Sequence, residues 1–315
     1  MPSYSLATHL IGVGPKGSPK LFKASKLPRG RTLPDEVARF LEQKEEFSLR
    51  HDEDADLFKV LPGTHKSAME DGRRTGIYGR IASSSFGKRF NFTHRTDPDD
   101  ELEQSVNHAR DDPFFFFFEF RDDYQWGVMV LQRVGSAGIY TKMDRALKAY
   151  INLRFGSELT LRTPQRAPTK MVERAVSGGV KMLRFYQHRV TDDLAEKLSL
   201  EGYKDDIQEV EIRVKAKKDK LLSIERSVGR IAEGADIGGL VTLEAFDPDQ
   251  SKVTVNIDGK DRVIRMTEGG PQLTAYWDVT DKVDNDSDGH ARVPDLVRES
   301  AELADMIWET LELPE

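Results

Sequence analysis

Residues 112–120 read Asp-Pro-Phe-Phe-Phe-Phe-Phe-Glu-Phe, and the five consecutive phenylalanines constrain the fold more than any other stretch. Successive side chains on a strand point to opposite faces, so an unbroken apolar run leaves neither face for water. The strand predicted here must therefore sit inside a sheet with material packed above and below it. Arg121-Asp122-Asp123-Tyr124 supplies a polar turn, and Trp126–Leu131 reads as the returning arm of a β-hairpin.

The same reading along the rest of the chain predicts an α+β fold of predominantly antiparallel sheets with flanking helices, in two domains. Tyr4–Val13 reads as a strand, Pro34 opens a helix to about Phe47, and Leu57–Leu61 is a short strand. Gly76–Ser83 and Phe86–His94 are expected to form a second hairpin, with Asp97–Arg110 an acidic connector of helical character. Lys142–Phe155 has apolar residues at helical spacing. Pro164 and Pro168 mark residues 163–169 as a linker between a domain at 1–162 and another at 170–315.

In the second domain Val180–Val190 reads as a strand, and Thr191 caps a helix expected to close at Gly202. Glu209–Lys215 alternates strictly. Further strands are expected at 240–246, 252–257, 262–266 and Leu273–Val279. Pro294–Leu311 is an amphipathic helix with Leu296, Ser300, Leu303, Ile307 and Leu311 on one face.

There is no cysteine, which removes disulfides, thiolate metal sites and a cysteine nucleophile. The first residues lack the basic and apolar regions of a signal peptide, and a cytoplasmic location is expected. The net charge of −7 conceals a strong segregation. Residues 1–34 hold six bases (Lys16, Lys20, Lys23, Lys26, Arg29, Arg31) and no acid, and residues 72–96 hold six more and no acid. Residues 97–123 balance at −8, and 231–315 at −13. Polyanion binding depends on the local patch, so an acidic chain can still carry a basic face.

Several short patterns carry possible chemistry. Gly12-Val13-Gly14-Pro15-Lys16-Gly17 matches G-x-G-x-x-G, but the prolines that follow deny it the helix that a dinucleotide phosphate needs. Asp284, Asp286 and Asp288 with Gly289 resemble the first half of a calcium loop, so a calcium or magnesium ion is a candidate ligand there. Asp112 and Glu119, taken with that cluster, suggest a metal-dependent nuclease or phosphoesterase as an alternative. In Phe86–Arg95, aromatic and cationic residues interleave; Phe90 and Phe92 could stack on bases while Lys88, Arg89 and Arg95 meet phosphates. Arg73, Arg74 and Arg80 would extend that patch.

The stretch Asp112–Lys142, with Gly127–Arg133 and Gly135-Ser136-Ala137-Gly138-Ile139, together with Tyr4–Gly14, resembles bacterial and prophage proteins related to the Rex exclusion system. Such proteins act in phage immunity and are associated with DNA binding and self-association. The resemblance implies a defence role linked to nucleic acid and transfers no catalytic residue. The expectation is a non-enzymatic binder of nucleic acid, DNA more than RNA, with the last helix docked and its apolar stripe supplying a homodimer contact; the alternative is that this helix covers its own C-terminal sheet in a monomer. An oligomeric scaffold or protein-interaction module is a further alternative.

Overall fold

The computed structural model describes residues 3–42, 56–61, 66–70, 73–85, 90–93, 101–104, 110–168, 172–173, 176–188, 190–217, 220, 222, 250–257, 260–267, 270–273 and 276–311. The fold is α+β, and the sheets are antiparallel. Contacts divide the chain into two units. The first comprises residues 1–163, 276–304 and 312–315; the second comprises 164–275 and 305–311. The sequence division assigned everything after 169 to one domain, whereas residues 276–304 group with the first unit.

The first unit contains β1 (Tyr4–Pro15), α1 (Leu33–Glu42), β2 (Asp56–Val60), β3 (Lys66–Glu70), β4 (Arg73–Ser85), β5 (Phe90–Thr93) and β6 (Glu101–Gln104). It continues with β7 (Arg110–Phe120), β8 (Gly127–Val134), β9 (Ala137–Gly138), α2 (Tyr140–Phe155) and β10 (Leu159–Arg162). The second unit contributes β11 (Val180–Gln187), α3 (Asp192–Lys197), β12 (Val210–Lys215), β13 (Gln250–Ile257), β14 (Lys260–Thr267) and β15 (Gly270–Leu273). The short strand β16 (Trp277–Asp278) and helix α4 (Val293–Trp308) follow.

The phenylalanine strand β7 lies between β4 and β8 in a nine-stranded sheet ordered β10-β1-β8-β7-β4-β2, with β16 on β1, β3 on β4 and β9 on β8. Its hairpin with β8 pairs Phe117 with Val130 and Phe118 with Met129. Phe114, Phe116, Phe118 and Phe120 share a core with Val37, Phe40 and Leu41 of α1 and with Met143, Leu147 and Ile151 of α2. Phe115 and Phe117, of opposite parity, are buried on the other face. There α4 contributes Val297 to a groove floored by Tyr78 and Phe117, and Tyr4 donates its hydroxyl to the Gly289 carbonyl oxygen at 3.1 Å. Residues 276–304 therefore form the second cover that a doubly buried strand requires.

Local expectations fail where pairing is long-range. β4 does not turn into β5. It pairs with β2, β3 and β7, while β5 pairs with β6, so the segment expected to be a helical connector holds a strand at Glu101–Gln104. Leu273–Val279 is two short strands on different sheets, β15 on β14 and β16 on β1. In the second unit the sheet runs β12-β11-β13-β14-β15, with Val180, Phe185, Val253 and Val255 in its core. Thr191 caps α3 by accepting from the Leu194 amide, but the helix ends at Lys197, short of the expected Gly202. Residues 240–246 lie outside the described residues.

Leu296, Ser300, Leu303, Ile307 and Trp308 of α4 are all buried within the chain. The apolar face expected to join two copies is thus already covered.

Phe116 is fully buried in the central strand, whereas Leu153 on α2 is 70% exposed. Phe116→Ala should lower the unfolding free energy by about 3–5 kcal/mol, and Leu153→Ala by well under about 1 kcal/mol. Urea unfolding followed by tryptophan fluorescence measures both; equal effects would contradict the layer assignment.

Candidate functional site

The acid-free segment 16–31 is a shaped surface. After β1 the chain doubles back over its own strand: the Phe22 amide donates to the Val13 carbonyl at 2.9 Å. This close return explains the glycines of the G-x-G-x-x-G pattern. A Cβ on Gly14 would collide with the Lys20 carbonyl oxygen, and one on Gly12 would come within 2.8 Å of the Trp126 ring. The glycines admit backbone and indole here; no helix opens after them and no phosphate cradle forms.

The loop is then fastened to the sheet. Ala24 N–H donates to the Tyr124 carbonyl at 2.8 Å, Ser25 Oγ to the Asp122 carbonyl at 2.6 Å, and Leu33 N–H to the Ala24 carbonyl at 2.7 Å. Leu21, Ala24 and Leu27, three residues apart, are buried. Lys20, Lys23, Lys26 and Arg29, at the same spacing but one position earlier or two later, are exposed. The result is a row of cations on a fixed backbone, with apolar anchors beneath. Lys23 lies 3.9 Å from Asp123, both largely exposed, an ion pair weak in water.

The row runs into a second feature that sequence reading missed. Glu36 on α1 is 1% exposed and gathers three arginines: Arg39 at 2.6 Å and Arg31 at 3.6 Å on Oε1, and Arg154 of α2 at 3.5 Å on Oε2. Tyr150 donates its hydroxyl to Oε2 at 2.9 Å. Burial, then the bond to Glu36, raises the Tyr150 pKa, so the phenol stays a donor at all ordinary pH. Arg29 joins them by donating to the Arg154 carbonyl at 2.8 Å and sitting 5.9 Å over the Phe155 ring. The signal that could have flagged this cluster was an acid, Glu36, at a core-facing position of an amphipathic helix.

The residues singled out from sequence are dispersed. Lys88, Arg89 and Arg95 lie outside the described residues, and Arg73 and Arg74 begin β4. Phe90 pairs with Gln104 and Phe92 with Leu102 through the backbone. Arg80 is brought together with Asp286, 206 residues away: its guanidinium donates to Asp286 Oδ2 at 2.8 Å and to the Ala291 carbonyl at 2.9 Å. This arginine holds the C-terminal segment against the sheet and is only 17% exposed, so it is not presented to a polyanion.

The calcium-like loop is accounted for by the same clasp. Asp286 Oδ1 accepts from the Asp288 amide at 3.1 Å and the His290 amide at 2.9 Å, a turn closed by its own backbone. Asp284 faces Arg292 at 3.7 Å. Among the described residues, no group of three or more His, Asp or Glu is placed to hold a metal ion. The nuclease pair fares no better. Asp112 and Glu119 are seven residues apart on one strand, hence on opposite faces and about 23 Å apart along it. Glu119 instead meets Arg121 at 3.3 Å.

Another buried polar group is His9 on β1. His9 stacks on Tyr140 with ring centroids 4.0 Å apart, and neither ring nitrogen has a hydrogen-bond partner. Burial pulls its pKa down to about 3, the Asp144 carboxylate only partly opposing this.

No protein-family model matches the chain, and no curated protein matches it either.

Two titrations follow. For Asp286, burial alone would raise the pKa, but hydrogen bonds from Arg80 and the His290 amide outweigh it and hold the carboxyl below its usual range. Its stabilisation is present above the unfolded value of about 4 and is lost as pH falls through the lowered folded value. Asp286→Asn should cost about 1–2 kcal/mol at neutral pH and flatten the stability curve below about pH 4. His9 acts in a higher window. Folding keeps it neutral, so stability is full above about pH 6.5 and declines below that, by up to about 1.4 kcal/mol per pH unit. His9→Phe should remove that slope between about pH 6 and 4.5 while leaving the lower one. Denaturant midpoints across pH check both, and an unchanged slope in either variant refutes that assignment.

Proposed function

We propose that the chain is a non-enzymatic nucleic-acid-binding protein acting in phage exclusion, and that it meets the phosphate backbone with the cation row Lys20, Lys23, Lys26 and Arg29. The observation that carries this reading is the shape of the acid-free segment. Lysines and an arginine recur at fixed spacing on a loop pinned by buried Leu21, Ala24 and Leu27. Cations held on a rigid backbone release counterions from a polyanion without first ordering the loop. The acidic surplus elsewhere in the chain steers the polymer towards this face and away from the rest. The likeness of residues 112–142 to Rex-type exclusion proteins supports the defence setting. The aromatic-cationic stretch 86–95 remains part of the proposal on its sequence.

A fluorescently labelled DNA duplex, a DNA single strand and an RNA of the same sequence, titrated between 50 and 200 mM salt, test this. Affinity should fall steeply with salt, and Lys20→Ala with Lys26→Ala should reduce the log–log slope by about two units for all sequences alike. Both lysines are exposed, so the thermal midpoint should be unchanged. No binding at the lowest salt, or a slope untouched by the double substitution, would refute the interface.

A further inference from the structure

The Glu36 cluster holds more positive charge than its own carboxylate can use. Three guanidinium groups have nitrogens within 3.6 Å of one carboxylate, and the oxygens of that carboxylate also serve a tyrosine. Only Arg39 is at close hydrogen-bond distance; Arg31 and Arg154, at 3.6 and 3.5 Å, are held by charge. Their side chains remain 38%, 43% and 37% exposed for Arg31, Arg39 and Arg154, so each is partly open to water, and one carboxylate cannot occupy the five N–H groups that each carries. With Arg29 the site counts four arginines against one acid, and among the described residues none of the four is ion-paired to any other carboxylate.

Like charges converge in this way at a net cost unless a further anion joins them. Arg29 adds an independent sign. Its backbone sits at φ 62°, a left-handed conformation unfavourable for a side-chain-bearing residue, beside Gly30 at φ 65°. From that turn its guanidinium reaches the Arg154 carbonyl and the Phe155 ring. Strain of this kind persists where the surroundings over-determine it, and it concentrates at ligand clamps.

We infer that this cluster is a binding site for a phosphate monoester dianion, the terminal phosphate of a nucleic-acid strand. The inference rests on the nucleic-acid reading above and sharpens it. Arg29 belongs both to the cation set and to the cluster, so a strand held by Lys20, Lys23 and Lys26 can bring its end to the cluster. A terminal phosphate carries close to two charges at pH 7, whereas each internal phosphodiester carries one, and planar guanidinium forks suit the dianion. The buried Glu36 keeps the arginines gathered and leaves three positive charges in excess, enough to neutralise a dianion.

The experiment compares three probes on the intact chain: a single strand with a terminal phosphate, the same strand with a hydroxyl end, and a nucleoside monophosphate. The phosphorylated strand should bind about tenfold tighter than its hydroxyl twin, and this advantage should shrink below about pH 6 as the phosphate takes up its second proton. Arg29→Ala should weaken the hydroxyl-ended strand as much as Lys26→Ala does, one backbone contact each, but only Arg29→Ala should also abolish the terminal-phosphate advantage. Equal affinities for the two strands overturn the terminal-phosphate site while the backbone-binding reading stands. Failure of both strands to bind overturns that reading, and the mononucleotide then decides the cluster. Saturable binding lost in Arg29→Ala upholds a monoester site for free nucleotides, and none overturns it. Thermal midpoints of parent and variant establish that each comparison is between folded proteins.

Discussion

A strand buried on both faces imposes the architecture of the first unit. The phenylalanines of β7 alternate between two dry surfaces, and a sheet with two dry surfaces needs two lids. The preceding and following helices, α1 and α2, form one lid. The other is drawn from residues 276–304, more than a hundred residues after α2. Everything that returns the chain to this sheet serves that need: the β16 pairing with β1, the Tyr4 bond to Gly289, and the ion pair of Arg80 with Asp286.

Two buried or half-buried carboxylates organise the charge of this unit to opposite ends. Asp286 meets one arginine, and its remaining acceptor capacity goes to backbone amides, so the charges balance and the site is closed. Glu36 meets three, and the site stays electropositive. A one-to-one pair at the margin of a sheet acts as a fastener. A three-to-one cluster at the surface is a source of potential, strongest where the protein interior behind it lowers the local dielectric.

Much of the fold could be read from local pattern, and the exceptions share one cause. The phenylalanine run, its return strand, the apolar face of α4 and the Thr191 cap are decided within a few residues, and the structure has them. Alternation shows that Gly76–Ser83 is a strand but not which strand it pairs with, and its partners proved to be β2, β3 and β7. The run of Asp and Gly at 284–289 is common to calcium loops and to turns capped by their own side chains; Arg80, two hundred residues away, decides between them. The cation row was visible as composition, and its three-residue spacing stood in the sequence unread. Of the Glu36 cluster only the acid on a core-facing position is legible in the sequence; its partners are not, because Tyr150 and Arg154 reach it from another helix.

The interruption of the first unit by the second also sets an order of events during synthesis. The strand β7 and the helices of its first lid leave the ribosome well before α4. Between Phe117 and Val297 lie 180 residues, or roughly 9–36 s of elongation at typical rates. Throughout that interval Phe115 and Phe117 lack the cover that residues 276–304 bring. The nascent chain carries an oily, half-roofed sheet past every chaperone and every other nascent chain in reach. Its yield in the cell should therefore respond to translation speed and chaperone supply as well as to the stability of the finished molecule.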